Sequence, residues 1–445
     1  MTTGPILDAR LIQQSFALVK GKADKVAGHF FALLFLTDPA TRDMFPPMMD
    51  RQRDGLFGAL GALVARADEP ESLTAYLRRL GRDNRKFGVR AEHYAAMCRC
   101  LLAAMRRFAE PDWTPAMDQA WETAFGEAAE IMIAAARQAA LTTPPFWTGR
   151  VVAHRRPADS LAVLDVEPDQ PYPFKPGQAA AVETLRWPRV WRPYSIANAP
   201  RADGLLTFQV RAVDAGWVSS ALVNHTRLGD TIRIGPPAGD MVCDAVSSRD
   251  VLLVGGGTGI APIQAIVEDM TRWNTNRHVT VYYGARTKAE LYALQGLEAL
   301  RDGCPWLTVV PCVSHDTHPR NTRYTGERGT LADVIARHGA DRSWSEHDVC
   351  VSGSVPMVRA TLARLADLGV PSSRIRFDAF GDQADVQLLE LQRQERTATP
   401  QRRVLSSGER LPQRQASKSS ATSSEVGSDW QVSTKPPLFS SGSRA

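Results

Sequence analysis

Residues 251–262 read Val-Leu-Leu-Val-Gly-Gly-Gly-Thr-Gly-Ile-Ala-Pro. Four strand-forming residues lead into a glycine turn, and Pro262 stands where the first turn of a helix tolerates a missing N–H. Glycines let the backbone approach a diphosphate closely, and free N–H groups at a helix start stabilise the anion. Gly255, Gly256, Gly257, Thr258, Gly259 and Pro262 are therefore candidate cradle residues. The segment is not the GxGxxG dinucleotide fingerprint, because Ile260 fills the third glycine position. Around it, β-rich runs at 251–254, 279–283 and 349–351 alternate with helix-like segments, the pattern that builds a parallel α/β sheet over 246–382. The second run ends Tyr283-Gly-Ala-Arg286-Thr287, where the Arg286 cation meets either a 2′-phosphate or the adenosine ribose and leaves NADH and NADPH both open.

Upstream the pattern changes twice. From 141 to 245, short alternating segments such as Leu206, Phe208, Val210 and Ala212 are separated by Gly, Pro and Asp, which predicts a small antiparallel β-barrel. From 1 to 140 the apolar residues recur at helical spacing, with stripes Leu73, Leu77, Leu80 and Trp121, Phe125, Ala128, Met132, and breaks at Asp38-Pro39, Pro46-Pro47, Gly88 and Pro111. Residues 383–445 are rich in Gln, Ser, Arg, Thr and Pro, a composition that cannot offset ordering entropy and predicts a disordered tail. The expectation is three domains and a tail, in keeping with 445 residues at roughly 150 per domain.

Composition bounds the function. A chain 44% hydrophobic and 23% charged is neither collagenous nor a disulfide scaffold. The net charge is +5, and the last 63 residues hold nine Lys/Arg against six Asp/Glu, so the body has no basic stripe for nucleic acid. Six cysteines without a CxxC pair read as reduced thiols. The N-terminus lacks a signal-peptide pattern, and the apolar run at 30–36 is far too short to span a bilayer. A soluble cytoplasmic protein with no membrane span is expected.

Within the barrel, Trp191-Arg-Pro-Tyr-Ser-Ile resembles the RxYS flavin signature of the ferredoxin-NADP reductase superfamily. The resemblance implies that Arg192 meets the FAD pyrophosphate, that Tyr194 lies on the isoalloxazine, and that Ser195 hydrogen-bonds near its redox-active nitrogen, with Pro193 between them. Gln178, in Pro176-Gly-Gln178, and Gly216, Val218 and Ser219, in Gly-Trp-Val-Ser, stand where that family binds the rest of FAD. The family's Cys-Gly-Pro beside the nicotinamide is Ser352-Gly353-Ser354 here, and Phe377-Asp378-Ala-Phe380 resembles its terminal motif, giving Phe380 the role of shielding the flavin and Asp378 that of a nearby acid.

A helical domain ahead of such a reductase is similar to the flavohaemoglobins over residues 1 to about 382. The resemblance implies NAD(P)H, FAD and haem b as cofactors. It implies electron flow from NAD(P)H through FAD to a globin haem, with nitric oxide and oxygen as small-molecule substrates. Phe45 corresponds to the phenylalanine against the haem edge, Gln52 to the distal glutamine and Tyr94 to the proximal tyrosine. The family's iron-binding histidine, counted back from Gly88-Val-Arg-Ala-Glu92-His93-Tyr94, falls on Asn84. Its distal tyrosine falls on Phe31 and its proximal carboxylate on Ala136. Asparagine is a poor iron ligand, and His93 and His29 are the substitutes at hand. The competing reading is a haem-poor flavin reductase that serves another acceptor, with the globin as a docking or dimerisation module for a partner protein or second copy.

Overall fold

The computed structural model describes residues 8–315, 324–340 and 342–381; the expected tail at 383–445 lies outside them. The chain opens with six helices, α1 (Ala9–Lys20), α2 (Ala23–Thr37), α3 (Asp50–Ala65), α4 (Pro70–Asn84), α5 (Ala91–Ala109) and α6 (Pro115–Ala140), with a 3-10 turn over Pro39–Met44. Asp8 caps α1 by accepting from the Leu11 N–H at 3.0 Å, and Thr114 caps α6 ahead of Pro115. The break between α3 and α4 was not anticipated, although Pro70 at the first position of α4 was its signal. The predicted stripes fill the core, where the fully buried Trp121 donates its indole N–H to Ser15 Oγ at 2.7 Å and ties α6 to α1. At Gly81 a Cβ would lie 2.3 Å from the Met132 carbonyl oxygen, so α4 and α6 pack backbone to backbone. That contact fixes the last turn of α4, and with it Asn84.

Strands β1 (Trp147–Ala158), β2 (Leu161–Pro168), β3 (Ala179–Thr184), β4 (Arg192–Ser195), β5 (Leu206–Arg211) and β6 (Thr231–Ala238) form an antiparallel sheet in the order β4-β3-β6-β1-β2-β5. An Ile196–Phe208 bridge joins its two edges and closes the barrel. The short helix α7 (Trp217–Ser220) follows β5. Leu206, Phe208 and Val210 point into the core as the alternation requires, yet Thr207 and Gln209 between them are buried too. Thr207 donates to Asp165 at 2.7 Å, while Gln209 accepts from Tyr292 at 2.7 Å and donates to Gln264 at 3.0 Å, because the outer face of β5 packs on the following domain.

That domain is a parallel sheet of β7 (Val251–Gly256), β8 (Val279–Ala285), β9 (Leu307–Val313), β10 (Glu327–Arg328), β11 (Asp348–Ser354) and β12 (Ile375–Phe380), in the order β10-β9-β8-β7-β11-β12. Helices α8 (Ile260–Met270), α9 (Leu294–Gly303), α10 (Leu331–Gly339) and α11 (Val355–Asp367) complete it. Strand order reverses at β7, which has β8 on one side and β11 on the other, so the carboxyl ends of β7 and β11 form a switch-point crevice. All six cysteines are free thiols, and burial pushes Cys312 and Cys350 up to about 12, which keeps them protonated. No helix among the described residues is long and apolar enough to cross a membrane.

Candidate functional site

The barrel and the parallel sheet meet where the sequence placed the flavin and nicotinamide residues. Strand β4 carries Arg192, Pro193, Tyr194 and Ser195 as one extended edge paired with β3, Ser195 opposite Ala179 and Arg192 opposite Val182. The buried Ser195 hydroxyl donates to Asp378 Oδ2 at 2.9 Å, bridging β4 to β12. Asp378 pairs in register with Ser352 on β11, and Ser352 with Gly255 on β7. Tyr194, Ser195, Asp378, Ser352 and the cradle thus share one crevice, with Phe380 at the end of β12. Burial raises the Tyr194 hydroxyl well above its ordinary range, so it stays protonated.

Arg192 makes no ion pair with a carboxylate among the described residues; its guanidinium donates to the Trp191 carbonyl at 2.7 Å. Burial, and then the like charge of Arg51 on α3, lower its pKa. A partly buried guanidinium without a carboxylate suits an anionic group. Gly216 is required where it stands, since a Cβ there would lie 2.4 Å from Ser219 Oγ. Ser219 in turn donates to the Gly216 carbonyl at 3.1 Å. Val218 faces the barrel core, so only its backbone is offered to a ligand. Gln178 is also spent on the frame: it accepts from the Lys175 N–H at 2.9 Å and donates to the Gly239 carbonyl at 3.1 Å.

In the cradle, Gly257 has φ +57°, and a Cβ on Gly259 would lie 2.3 Å from the Ser352 carbonyl oxygen. The turn therefore presses against β11 and brings Gly255, Gly256, Gly257, Thr258, Gly259 and Gly353 together, with Pro262 buried in the first turn of α8. Ser352 Oγ is fully buried with no hydrogen-bond partner. An orphaned buried hydroxyl costs about 1–3 kcal/mol, a cost that a bound nucleotide would remove. Arg286 is not a free cation, because Glu290 one turn on holds it at 3.1 Å.

FAD and a nicotinamide dinucleotide fit these residues; a haem iron does not. Tyr94 is buried, which raises its pKa, with the nearby Asn84 side chain opposing the rise. The residue at the ligand position is thus an amide beside a tyrosine, a poor donor for iron. His93 is no ready substitute, since its Nδ1 accepts the Arg90 N–H at 3.0 Å and caps α5. His29 packs edge-on against Phe108, with ring centroids 5.8 Å apart. Phe31 lies against Phe45 at 5.3 Å, and Gln52 Oε1 is buried without a partner, a distal side with one orphaned acceptor and no hydroxyl at position 31.

Sequence reasoning missed the junction residue Lys86. Its side chain is only 6% exposed, pairs with Asp83 and sits 5.1 and 5.7 Å from the Phe87 and Trp191 ring centroids. Arg85 beside it donates to the Thr143 carbonyl at 2.6 Å. Lys86 thus sets the end of the helical domain against Trp191, directly before the flavin strand, and Arg85 ties it to the connection at Thr143. Lys86→Ala is expected to cost about 1–2 kcal/mol, the scale of a desolvated cation–π contact, and to expose Trp191. A chemical-denaturation midpoint together with a red shift in tryptophan emission checks this.

Comparison with known proteins agrees with the three-part architecture. Residues 28–132 match the Globin family model, 160–242 the Oxidoreductase FAD-binding domain and 253–362 the Oxidoreductase NAD-binding domain. The chain is 28% identical over 407 residues to the flavohemoprotein of Bordetella pertussis, covering 83% of this chain and 97% of that protein. It is 26% identical over 404 residues to the flavohemoprotein of Bacillus anthracis, covering 85% and 98%. Its fold matches the solved flavohemoglobin of Malassezia yamatoensis with a TM-score of 0.70 at 17% identity, over 84% of this chain and 98% of that one. A globin, an FAD-binding barrel and an NAD-binding sheet in this order, matched along nearly the full length of such relatives, make the chain similar to the flavohaemoglobins and mark it as an NAD(P)H-dependent flavin oxidoreductase.

Proposed function

We propose that the working redox centre of this chain is FAD, reduced by NAD(P)H in the crevice between β4, β7, β11 and β12, and that nitric oxide dioxygenation proceeds only to the extent that haem is retained without the family's histidine. The Ser195–Asp378 bond carries the reading, because it sets the flavin strand against the nucleotide switch point. FAD, when bound, supplies the two-electron hydride acceptor; the protein contributes orientation and electrostatics. Ser195 commits its hydroxyl proton to Asp378 Oδ2, so its lone pairs are left to accept from a ring N–H. Arg192 takes the diphosphate charge, and Tyr194 offers a ring face. Residues 255–259 with Pro262 hold the dinucleotide diphosphate, Ser352 and Gly353 leave room beside Phe380 for the nicotinamide, and Arg286 stands near the adenosine.

The family's scheme continues from flavin to a globin haem, with Phe45, Gln52 and Tyr94 around it. In this chain an asparagine, Asn84, at the position of the family's histidine favours the second reading, a haem-poor reductase that delivers electrons to another small acceptor or a partner protein. The helical half then docks that partner or a second copy. The proposal takes 1–140, 141–245, 246–382 and 383–445 as the parts of the chain and the cytoplasm as its location. An absorption spectrum of full-length protein, expressed with ample haem precursor, tests it. Flavin bands with little or no Soret band are expected; a full Soret band with fast aerobic nitric oxide consumption would refute the haem-poor form.

A further inference from the structure

The barrel and the parallel sheet are joined by a chain of hydrogen bonds that starts at Tyr292, ahead of α9, and ends on the segment that follows the flavin strand. The Tyr292 hydroxyl donates to Gln209 Oε1 at 2.7 Å, and Gln209 Nε2 donates to Gln264 Oε1 at 3.0 Å. Gln264 Nε2 donates to Glu268 Oε1 at 3.0 Å, and Glu268 Oε2 accepts the Ala199 N–H at 3.0 Å. The direction of each bond follows from the residue types. An ionised carboxylate only accepts, so Glu268 turns the Gln264 amide N–H toward itself and the Gln264 carbonyl toward Gln209, which leaves the Gln209 carbonyl for a hydroxyl donor. Burial raises the Tyr292 pKa well above its ordinary value, so that donor stays protonated. Gln209 is 8% exposed and Ala199 is fully buried. A relay anchored on a carboxylate in such surroundings is stronger than its bonds taken singly, and breaking one link leaves a buried amide unpaired.

We propose that this relay is a strap that holds the nucleotide cradle in register with the flavin, with Gln209 and Gln264 as positioning residues for hydride transfer. The inference rests on the flavin reading above and deepens it. Its ground is where the strap is tied. Gln264 and Glu268 stand one turn apart on α8, the helix that the cradle turn leads into and whose first turn carries Pro262. Gln264 is five residues beyond Gly259, about 7.5 Å along the helix, so a tilt of α8 at Gln264 is felt at the diphosphate. Ala199 lies four residues beyond Ser195 on the flavin segment itself. The Ser195–Asp378 bond ties the opposite side of the crevice, from β4 to β12. The strap is the tie that reaches the cradle helix. An apolar pair at 209 and 264 would fill the same contact without polar groups to desolvate; the amides add a fixed direction and distance. Hydride transfer needs that precision, because a misplacement of about 1 Å costs on the order of a hundredfold in rate.

Full-length protein loaded with FAD is reduced anaerobically in a stopped-flow instrument by NADH and by NADPH, for wild type, Gln209→Leu, Gln264→Leu, the double variant and Tyr292→Phe. Melting temperature and amide hydrogen exchange of the peptide that holds Ala199 are read in parallel. Each leucine variant is expected to lose at least about tenfold in the limiting rate at saturating nucleotide, with FAD content kept and the half-saturating nucleotide concentration within about twofold. Exchange at Ala199 should quicken in Gln209→Leu, although residue 209 makes no hydrogen bond to Ala199 or Glu268, because the strap carries the loss along. Tyr292→Phe removes only the first link and should shift both readouts the same way by less. The double variant should regain melting temperature, since neither amide is left unpaired, but not the rate. A limiting rate that stays at the wild-type value in both leucine variants, or that returns with the melting temperature in the double variant, overturns the proposal and makes the relay a packing contact. Wild-type flavin that neither nucleotide reduces overturns the flavin reading itself.

Discussion

Asn84→His is expected to raise the Soret-to-flavin absorbance ratio of the purified full-length protein by at least about tenfold, since even residues that only orient a metal ligand change affinity by about 10–100-fold. The position is prepared for it. Gly81 locks the last turn of α4 against α6, and Asn84 itself keeps helical backbone angles, φ −63° and ψ −19°. The Tyr94 hydroxyl lies close enough to residue 84 for that side chain to lower its pKa. An imidazole there could give its Nδ1–H to the Tyr94 oxygen, which would set the tautomer and leave Nε2 for iron. Adding Ala136→Glu should raise haem content further by restoring a carboxylate on α6. Equal Soret intensity in wild type and Asn84→His would mean that another group holds the iron, with His93 and His29 the next residues to replace.

Gly259→Ala should remove most NAD(P)H-dependent flavin reduction while leaving FAD bound. The new methyl would lie 2.3 Å from the Ser352 oxygen, 2.5 Å from its carbonyl carbon and 2.7 Å from Gly353 Cα. All three are backbone atoms of β11, so no rotamer relieves the clash and either the cradle or the strand must move. Overpacking of this kind costs about 1–3 kcal/mol, and the displaced atoms bind the dinucleotide. A rise in KM for NAD(P)H of at least about tenfold is expected, on the scale of 1.4 kcal/mol per factor of ten. Gly257→Ala is the control: nothing stands near its Cβ, and only its φ of +57° resists, so a milder effect is expected. Steady-state kinetics beside the flavin spectrum separate the two, and equal KM values for Gly259→Ala and wild type would show that the cradle does not touch the nucleotide.

The sequence made the scaffold legible where a local rule spoke: glycines after an apolar run for the cradle, alternation for β5, and a proline or glycine at most helix ends. Asn84 was also legible, because the family resemblance at Gly88-Val-Arg-Ala-Glu92-His93-Tyr94 carried the count back to it. What stayed hidden depended on surfaces far apart in the chain. Gln209 alternates like a solvent-facing residue, yet Gln264 on α8 and Tyr292 hydrogen-bond it, while Thr207 is taken up by Asp165 on β2. Gln178 and Val218 sit in the flavin motif, yet one is used to pin backbone and the other to fill the core. Arg286 read as a free cation because Glu290 was not recognised as its partner one helical turn on. Lys86, Trp187 and Trp217 lie in single turns too short for periodicity, where only the folded chain shows which ring meets which.

The most direct test of the account is anaerobic addition of NADH, and separately NADPH, to full-length protein shown to contain FAD, followed by the visible flavin band. The account predicts stoichiometric bleaching by at least one of the two nucleotides, to the same extent whether or not a Soret band is present. An oxidised flavin spectrum that persists with both nucleotides would contradict it.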